Sequence, residues 1–368
     1  MSFAELQHQP SAAAALEAAL AAERVPHAFI FCGPAGVGKA LAARLLARTL
    51  LCERPKTGRG KHPTVAACGS CPQCLLCDAG THPDLNWFAK PADRAELPIS
   101  LVTRRDDSPQ GLTINESVQL KPMQAACRVT VIEDAEEMNA SAANAFLKTF
   151  EESPQGSYLV LLVTSLDTLL PTIRSRGQLV RFRSLPHRFV ADLLARDTGL
   201  GADEAAVLAR FSEGSIQRAA ALARSDFLAL RRDVLAALPA AGRAEALVIA
   251  DAVMEWASRQ AGEQQTTGKK VEENELRRTH LKRALDLMGS LLRDALVAAT
   301  AGPEADLINA DATPLVQRIA QRLAPDALER GLRRMIEYQT YVDRNVHNAL
   351  LIENACLHMA DLLAPLRP

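Results

Sequence analysis

Three sets of residues have the types and spacing to do chemistry. The first is Gly33-Pro34-Ala35-Gly36-Val37-Gly38-Lys39-Ala40. It reads G-x-x-x-x-G-K, with alanine where a P-loop carries serine or threonine. In such a loop the glycines let backbone N–H groups wrap phosphates at a helix N-terminus. The lysine adds a point charge. The missing hydroxyl is the one that ligates Mg²⁺ beside the phosphates. The spacing predicts a P-loop that can hold ATP, while its metal-assisted chemistry is in doubt.

The second set is Cys68-Gly69-Ser70-Cys71-Pro72-Gln73-Cys74-Leu75-Leu76-Cys77, with three C-x2-C steps, together with Cys52 upstream. Thiolates at this spacing converge on one ion because the turn backbone points the sulfurs inward. Two tetrahedral sets are open: Cys52, Cys68, Cys71 and Cys74, or Cys68, Cys71, Cys74 and Cys77. The favoured ion is structural zinc, since no histidine or carboxylate of an open site accompanies the thiols. Iron–sulfur spacing is close, but it closes with x3 and a proline that are absent here. Free thiols in a loop are the remaining reading. The third set is acidic. Glu133-Asp134 follows the strand-like run Val129-Thr130-Val131-Ile132. In P-loop ATPases such a pair holds the Mg²⁺ shell and the attacking water, usually as Asp then Glu. Here the order is reversed, and a solvated strand end is the alternative.

These sets need elements to position them. Ala28-Phe29-Ile30-Phe31-Cys32 is an apolar run suited to a buried strand before the glycine loop. Leu41, Leu45, Leu46 and Leu50 fall at helical spacing after it, ending near Cys52. Ser11 is expected to cap a helix over Ala12–Ala22. Glu53 to Lys61 reads as a polar loop, and His82 and Asp84 as part of a loop turn before a strand at Leu85–Phe88. Residues 90–119 carry no clear period. Asn139 or Ser141 caps a helix over Ala142–Glu152. Tyr158–Thr164 is an almost wholly apolar strand, as in a parallel sheet, and Thr164 stands where a polar side chain would face a γ-phosphate. A short helix presents Arg174 and Arg176, and Val180–Phe182 is a last strand. After Pro186 the strands stop. Short helices are expected at Ala202–Arg210 and Ile216–Arg224. One long amphipathic helix carries Leu281, Leu285, Met288, Leu292 and Leu296, and another begins at Leu332. Polar loops are expected at Gly262–Lys270 and Ala301–Pro314. The fold class is α/β with a parallel sheet, followed by all-α regions.

Composition narrows the function classes. The length of 368 residues predicts two or three domains. A formal net charge of −1 leaves no electrostatic footprint for autonomous DNA binding. Aromatics at 4 % argue against stacking on single strands. Both facts disfavour a zinc-dependent nucleic-acid-binding module. Eight cysteines in a cytoplasmic chain point to metal rather than disulfides. Met1-Ser2-Phe3-Ala4-Glu5 lacks a basic n-region, so no signal peptide is expected. No run is long and apolar enough to span a membrane.

Assembled, the motifs resemble the bacterial clamp-loader subunits of the AAA+ class, nearest to the delta-prime branch of the DNA polymerase III holoenzyme. The resemblance is carried by His27-Ala28-Phe29, the glycine loop, and the cysteine module ending in Thr81-His82-Pro83-Asp84. It continues through Ala143-Asn144-Ala145-Phe146-Leu147-Lys148-Thr149-Phe150-Glu151-Glu152 and Thr172-Ile173-Arg174-Ser175-Arg176. Near the C-terminus, Arg344-Asn345-Val346-His347-Asn348 and Leu350-Leu351-Ile352-Glu353 add to it. Gly177 replaces the cysteine of the family's S-R-C motif. The resemblance implies an AAA+ P-loop domain over 1–184 with an inserted zinc module at about 52–77. A helical lid over 185–226 and a helical collar over 227–368 would follow. It matches Cys52, Cys68, Cys71 and Cys74 to the zinc positions, leaving Cys77 extra. It matches Arg176 to an arginine finger acting in trans on a neighbour's ATP. It implies gamma/tau and delta partners in a five-subunit ring that places the sliding clamp on primed DNA. Within this family some subunits hydrolyse ATP and delta-prime acts as a stator. Ala40 and the reversed Glu133-Asp134 favour the stator over a gamma/tau-like ATPase, and no polymerase activity is expected of the chain alone. A metabolic P-loop kinase is disfavoured by Ala40 and the long helical C-terminus.

Overall fold

The structure is a computed structural model. It describes residues 2–22, 25–58, 64–91, 94, 96–106, 108, 110–237, 241–264, 270–302, 305–342, 344 and 347–364. Two units divide at Pro186 and His187.

The first unit is built on apolar, β-branched runs that pair side by side. Its elements are α1 (Pro10–Ala21), β1 (Ala28–Cys32), α2 (Lys39–Leu51), β2 (Lys56–Gly58), β3 (Thr64–Ala66), α3 (Pro72–Asp78) and β4 (Leu85–Phe88). They continue as α4 (Ile99–Val102), α5 (Ile114–Gln119), β5 (Arg128–Ile132), α6 (Ala140–Glu151), β6 (Ser157–Val163), α7 (Pro171–Arg174) and β7 (Gln178–Arg181). Five strands form a parallel sheet in the order β4-β5-β6-β1-β7. Parallel strands are buried on both faces, as β5 and β6 are almost throughout, with Arg128 and Thr130 the polar residues within β5. Phe146 and Phe150 of α6 are fully buried, with rings 5.5 Å apart. The order sets β1 between β6 and β7, so the glycine loop, Thr164 and the end of β5 share the carboxyl edge of the sheet. Ligands of open parallel sheets bind at that edge.

Several boundaries differ from expectation for local reasons. The first helix starts at Pro10, because proline's fixed φ and missing N–H suit a first helical turn. Asn139, not Ser141, caps α6, accepting from the Ala142 N–H at 2.9 Å. In the region without clear period, α5 is set by a capping box: Thr113 accepts from the Glu116 N–H, and Glu116 accepts from the Thr113 N–H.

The second unit is all helical. It comprises α8 (His187–Thr198), α9 (Ala202–Phe211), α10 (Ile216–Ala223), α11 (Phe227–Ala237), α12 (Arg243–Gln264), α13 (Lys270–Ala301), α14 (Thr313–Arg322), α15 (Pro325–Val342) and α16 (Asn348–Leu362). Leu281, Leu285, Met288 and Leu292 are fully buried on α13. Arg218 of α10 pairs with Asp286 of α13 at 2.6 Å. The loop expected at 262–270 begins inside α12, and residues 265–269 lie outside the described residues. So do 59–61 of the loop expected at 53–61, and Asn345 and Val346 of the C-terminal motif. Among the described residues, no helix is long and apolar enough to cross a membrane.

Candidate functional site

The glycine loop joins β1 to α2. Gly36 and Gly38 have φ of 69° and 103°, a left-handed backbone that favours glycine. Gly33 is fixed by crowding instead: a Cβ there would run into the Phe182 carbonyl oxygen. That approach follows from the sheet, since the Phe182 N–H donates to the Cys32 carbonyl at 2.7 Å. Val37 is buried, and its carbonyl accepts from Gln9 Nε2. Gln9 also bonds both backbone groups of Arg183, stapling the loop to the chain that leaves β7. Lys39 is 8 % exposed. Its ammonium donates to the Gly33 and Pro34 carbonyls, the latter at 2.7 Å. Burial lowers its pKa. The carboxylate that most opposes this is Glu136, ahead of Asp134 and Glu133. Ala40 at the head of α2 offers no oxygen to a cation.

The acidic pair closes β5. Glu133 is half-buried, and Asp134 is exposed with φ of 49°. The carboxylate that engages the site is Glu136, which the sequence reading passed over. Its Oε1 accepts from both the N–H and the hydroxyl of Thr164, each at 2.6 Å. Its Oε2 is buried without a partner. The only signal in the sequence was an acid run, Glu133-Asp134-Ala135-Glu136-Glu137.

At the other end of α2, Cys52 caps the helix. The β2–β3 hairpin returns the chain to Cys68, Cys71 caps α3, and Cys74 lies in its first turn. The four sulfurs lie within 4.8 Å of one another. Cys52 and Cys71 are 3.9 Å apart, and Cys68 and Cys74 4.0 Å. Tetrahedral zinc at about 2.3 Å from each sulfur requires sulfurs about 3.8 Å apart. The donor set is four buried or half-buried thiols in a small apolar cluster. It could hold a metal ion, and it fits one that takes sulfur. Backbone N–H groups of Ser70 and Cys71 hold the Cys68 thiol at about 6, the Ser70 group most strongly, while burial pushes Cys74 up to about 12. Cys77 falls outside the four-sulfur set. Burial pushes its thiol up to about 11. Arg48 of α2 pairs with Asp78 at 2.8 Å, clamping α3 to the sheet domain.

His82 and Asp84 are structural. The Asp84 carboxylate is fully buried and accepts N–H bonds from Met123, Gln124 and Ala125 at 2.7, 2.8 and 3.0 Å. It pairs with the equally buried Arg128 at 3.0 Å. Burial alone would raise its pKa, but the three donors and Arg128 hold it below the usual carboxylate range. His82 Nδ1 accepts from the Asp84 N–H.

Arg176 lies between α7 and β7 and is exposed. Its guanidinium stands 3.3 Å from Glu151 and donates to the Thr172 carbonyl at 3.1 Å. Arg174 stands 3.8 Å from the exposed Asp167. Gly177 is accounted for by packing: a Cβ there would lie 2.6 Å from Ile30 of β1.

Comparison with known proteins agrees with this architecture. A family model described as DNA polymerase III, delta subunit, matches residues 8–186. A second, for the C-terminal part of the delta subunit, matches residues 269–361. The DNA polymerase III subunit delta' of Pseudomonas aeruginosa is 40 % identical over 151 residues, 41 % of each chain. That of Escherichia coli is 27 % identical over 352 residues, 95 % of this chain and 93 % of its own. The subunit gamma/tau of Mycobacterium tuberculosis is 34 % identical over 195 residues, 53 % of this chain and 31 % of its own. The match thus spans about a third of the gamma/tau relative, about two fifths of the Pseudomonas one and nearly all of the Escherichia coli one. With delta-subunit family models matched at both ends and the Escherichia coli delta' aligned over 95 % of the chain, the chain belongs to this family of DNA polymerase III subunits.

Proposed function

We propose that this chain is a non-hydrolysing, delta-prime-like stator of a DNA polymerase III clamp loader. Residues 1–184 would be its AAA+ domain, 185–226 a lid and 227–368 a collar that joins gamma/tau and delta subunits in a five-membered ring. The ring would load the sliding clamp on primed DNA in the cytoplasm. The observation that carries the reading is the state of the glycine loop. Ala40 supplies no Mg²⁺ ligand, and Thr164 is taken by Glu136. Phosphoryl transfer depends on metal and positioning, so losing both removes the reaction rather than slowing it slightly.

Arg176 would be the catalytic contribution, made in trans. Its exposure and its partner at a solvent-facing Glu151 leave the guanidinium free to exchange that contact for a neighbour's phosphates. There it offsets charge on the transferring phosphoryl group. Cys52, Cys68, Cys71 and Cys74 would hold zinc, which supplies no reaction and only cross-links α2, the hairpin and α3. A gamma/tau-like ATPase is the second reading. It is favoured by the intact Gly33, Gly36, Gly38 and Lys39 and by the likeness to the Mycobacterium subunit.

ATP turnover by the purified chain separates them. A stator shows none above background, with or without DNA. Saturable turnover that Lys39→Ala abolishes would move the chain to the motors.

A further inference from the structure

We infer that Glu136 sets the ligand class of the glycine loop, making it a site for a nucleoside diphosphate that rejects the triphosphate. The inference rests on reading residues 33–39 as a nucleotide loop. It adds a substrate class to that reading and a residue that imposes it.

A P-loop divides its work. Backbone N–H groups of the glycine turn cradle the α- and β-phosphates, and the lysine and a strand-end polar group serve the β/γ side. The first half is intact here. Gly36 and Gly38 keep the left-handed backbone that turns N–H groups towards an anion, and α2, 13 residues long, begins directly behind them. The second half is already occupied by a carboxylate. Thr164 follows β6 next to β1, and both of its donors go to Glu136 Oε1 at 2.6 Å. No donor of Thr164 is left for a γ-phosphate.

Glu136 also has a charge to place. Its Oε2 is buried and accepts no hydrogen bond, an arrangement that costs free energy unless a cation faces it. Lys39 is the buried cation of this edge. Two of its three N–H donors go to the Gly33 and Pro34 carbonyls. A γ-phosphate brought to this side would displace the carboxylate from Thr164 or sit against it. With Ala40 in place of the hydroxyl, no Mg²⁺ ligand from α2 offsets that repulsion. A diphosphate ends before this point and meets only the glycine turn and Lys39.

The test is equilibrium binding of N-methylanthraniloyl-ADP and -ATP to the full chain, read by fluorescence anisotropy with Mg²⁺ and with EDTA. Wild type is expected to bind the ADP probe at least tenfold more tightly than the ATP probe. Glu136→Gln keeps an oxygen for Thr164 and removes the charge, and Glu136→Ala removes both. Each is expected to bring the ratio below threefold by tightening ATP. Lys39→Ala should abolish binding of either probe, which places it in the loop. Equal affinity for the two probes in wild type overturns the inference. So does an unchanged ratio in both Glu136 variants, or binding that survives Lys39→Ala. Failure of every form to bind either probe also overturns it, yet leaves the stator reading standing, because a stator needs no nucleotide. Turnover of ATP by wild type would instead sink the stator reading.

Discussion

The two ends of α2 have diverged. At its C-terminal end, Cys52 joins three other thiols at the spacing a tetrahedral metal requires. At its N-terminal end, the loop keeps its glycines and lysine, but Ala40 lacks the metal-binding hydroxyl and Glu136 holds Thr164. One helix of 13 residues, about 20 Å long, thus carries a complete site and a curtailed one. The difference teaches what each end is kept for. A fold can retain a loop for its shape after the chemistry is gone, because the glycine turn also joins β1 to α2. A thiol cluster has no such second use, since buried cysteines without a metal add little beyond their packing.

The largest effect should come from the complete end. Cys71→Ser is expected to abolish bound metal, and with it most of the roughly 10 kcal/mol of binding free energy that such sites put into folding. Metal analysis and a thermal melt check this, and an unaltered metal content would remove Cys71 from the ligand set. Next comes the frame at the opposite, amino edge of the sheet, where β4 and β5 begin. Arg128→Met strands the buried Asp84 carboxylate beneath the loop at 121–125 and should cost about 3–5 kcal/mol in urea denaturation. Asp84 sets the pH sense of that frame. Its pKa is depressed in the fold, so its stabilisation is complete above about pH 4 and disappears as pH falls through the lower folded value. Wild type should therefore lose stability in acid, and Asp84→Asn should flatten that dependence.

Gly177→Ala probes the link between α7 and β7 that bears Arg176. The added methyl meets Ile30 and should destabilise by about 1–3 kcal/mol, with much of the loss recovered when Ile30→Ala is combined with it. Additive losses would show that the glycine is held by something other than this contact. The smallest effect should come from the curtailed end itself. Lys39→Ala is expected to change a reconstituted loader's ATPase by less than about twofold, because in a stator no turnover depends on this loop. A larger fall would show that the two ends of α2 are both active.

Much of this was legible in the sequence, and what was missed has definite causes. The strand–loop–helix around Gly33–Lys39 follows from apolar runs and glycines, whose requirements are local. The choice between Cys52 and Cys77 could not be made from spacing, because it depends on the hairpin at 56–66 returning the chain to the end of α2. Glu136 was overlooked since its role arises only when β5 and β6 lie side by side and bring Thr164 within reach. Asp84 sits where the local sequence spells only a turn, and its three N–H donors come from residues some 40 positions away. The helix α5 needs no tertiary context: Thr113-Ile114-Asn115-Glu116 is a capping box visible in the sequence alone.

The most direct test of the stator account compares Arg176→Ala with Lys39→Ala, each built into this chain and assembled with the other loader subunits, clamp and primed DNA. The account predicts that Lys39→Ala retains the full ATPase rate. It predicts that Arg176→Ala lowers the rate at least tenfold at the site it serves, as loss of an arginine finger does, while the ring still assembles. The opposite pattern, a rate lost with Lys39→Ala and kept with Arg176→Ala, would contradict the account.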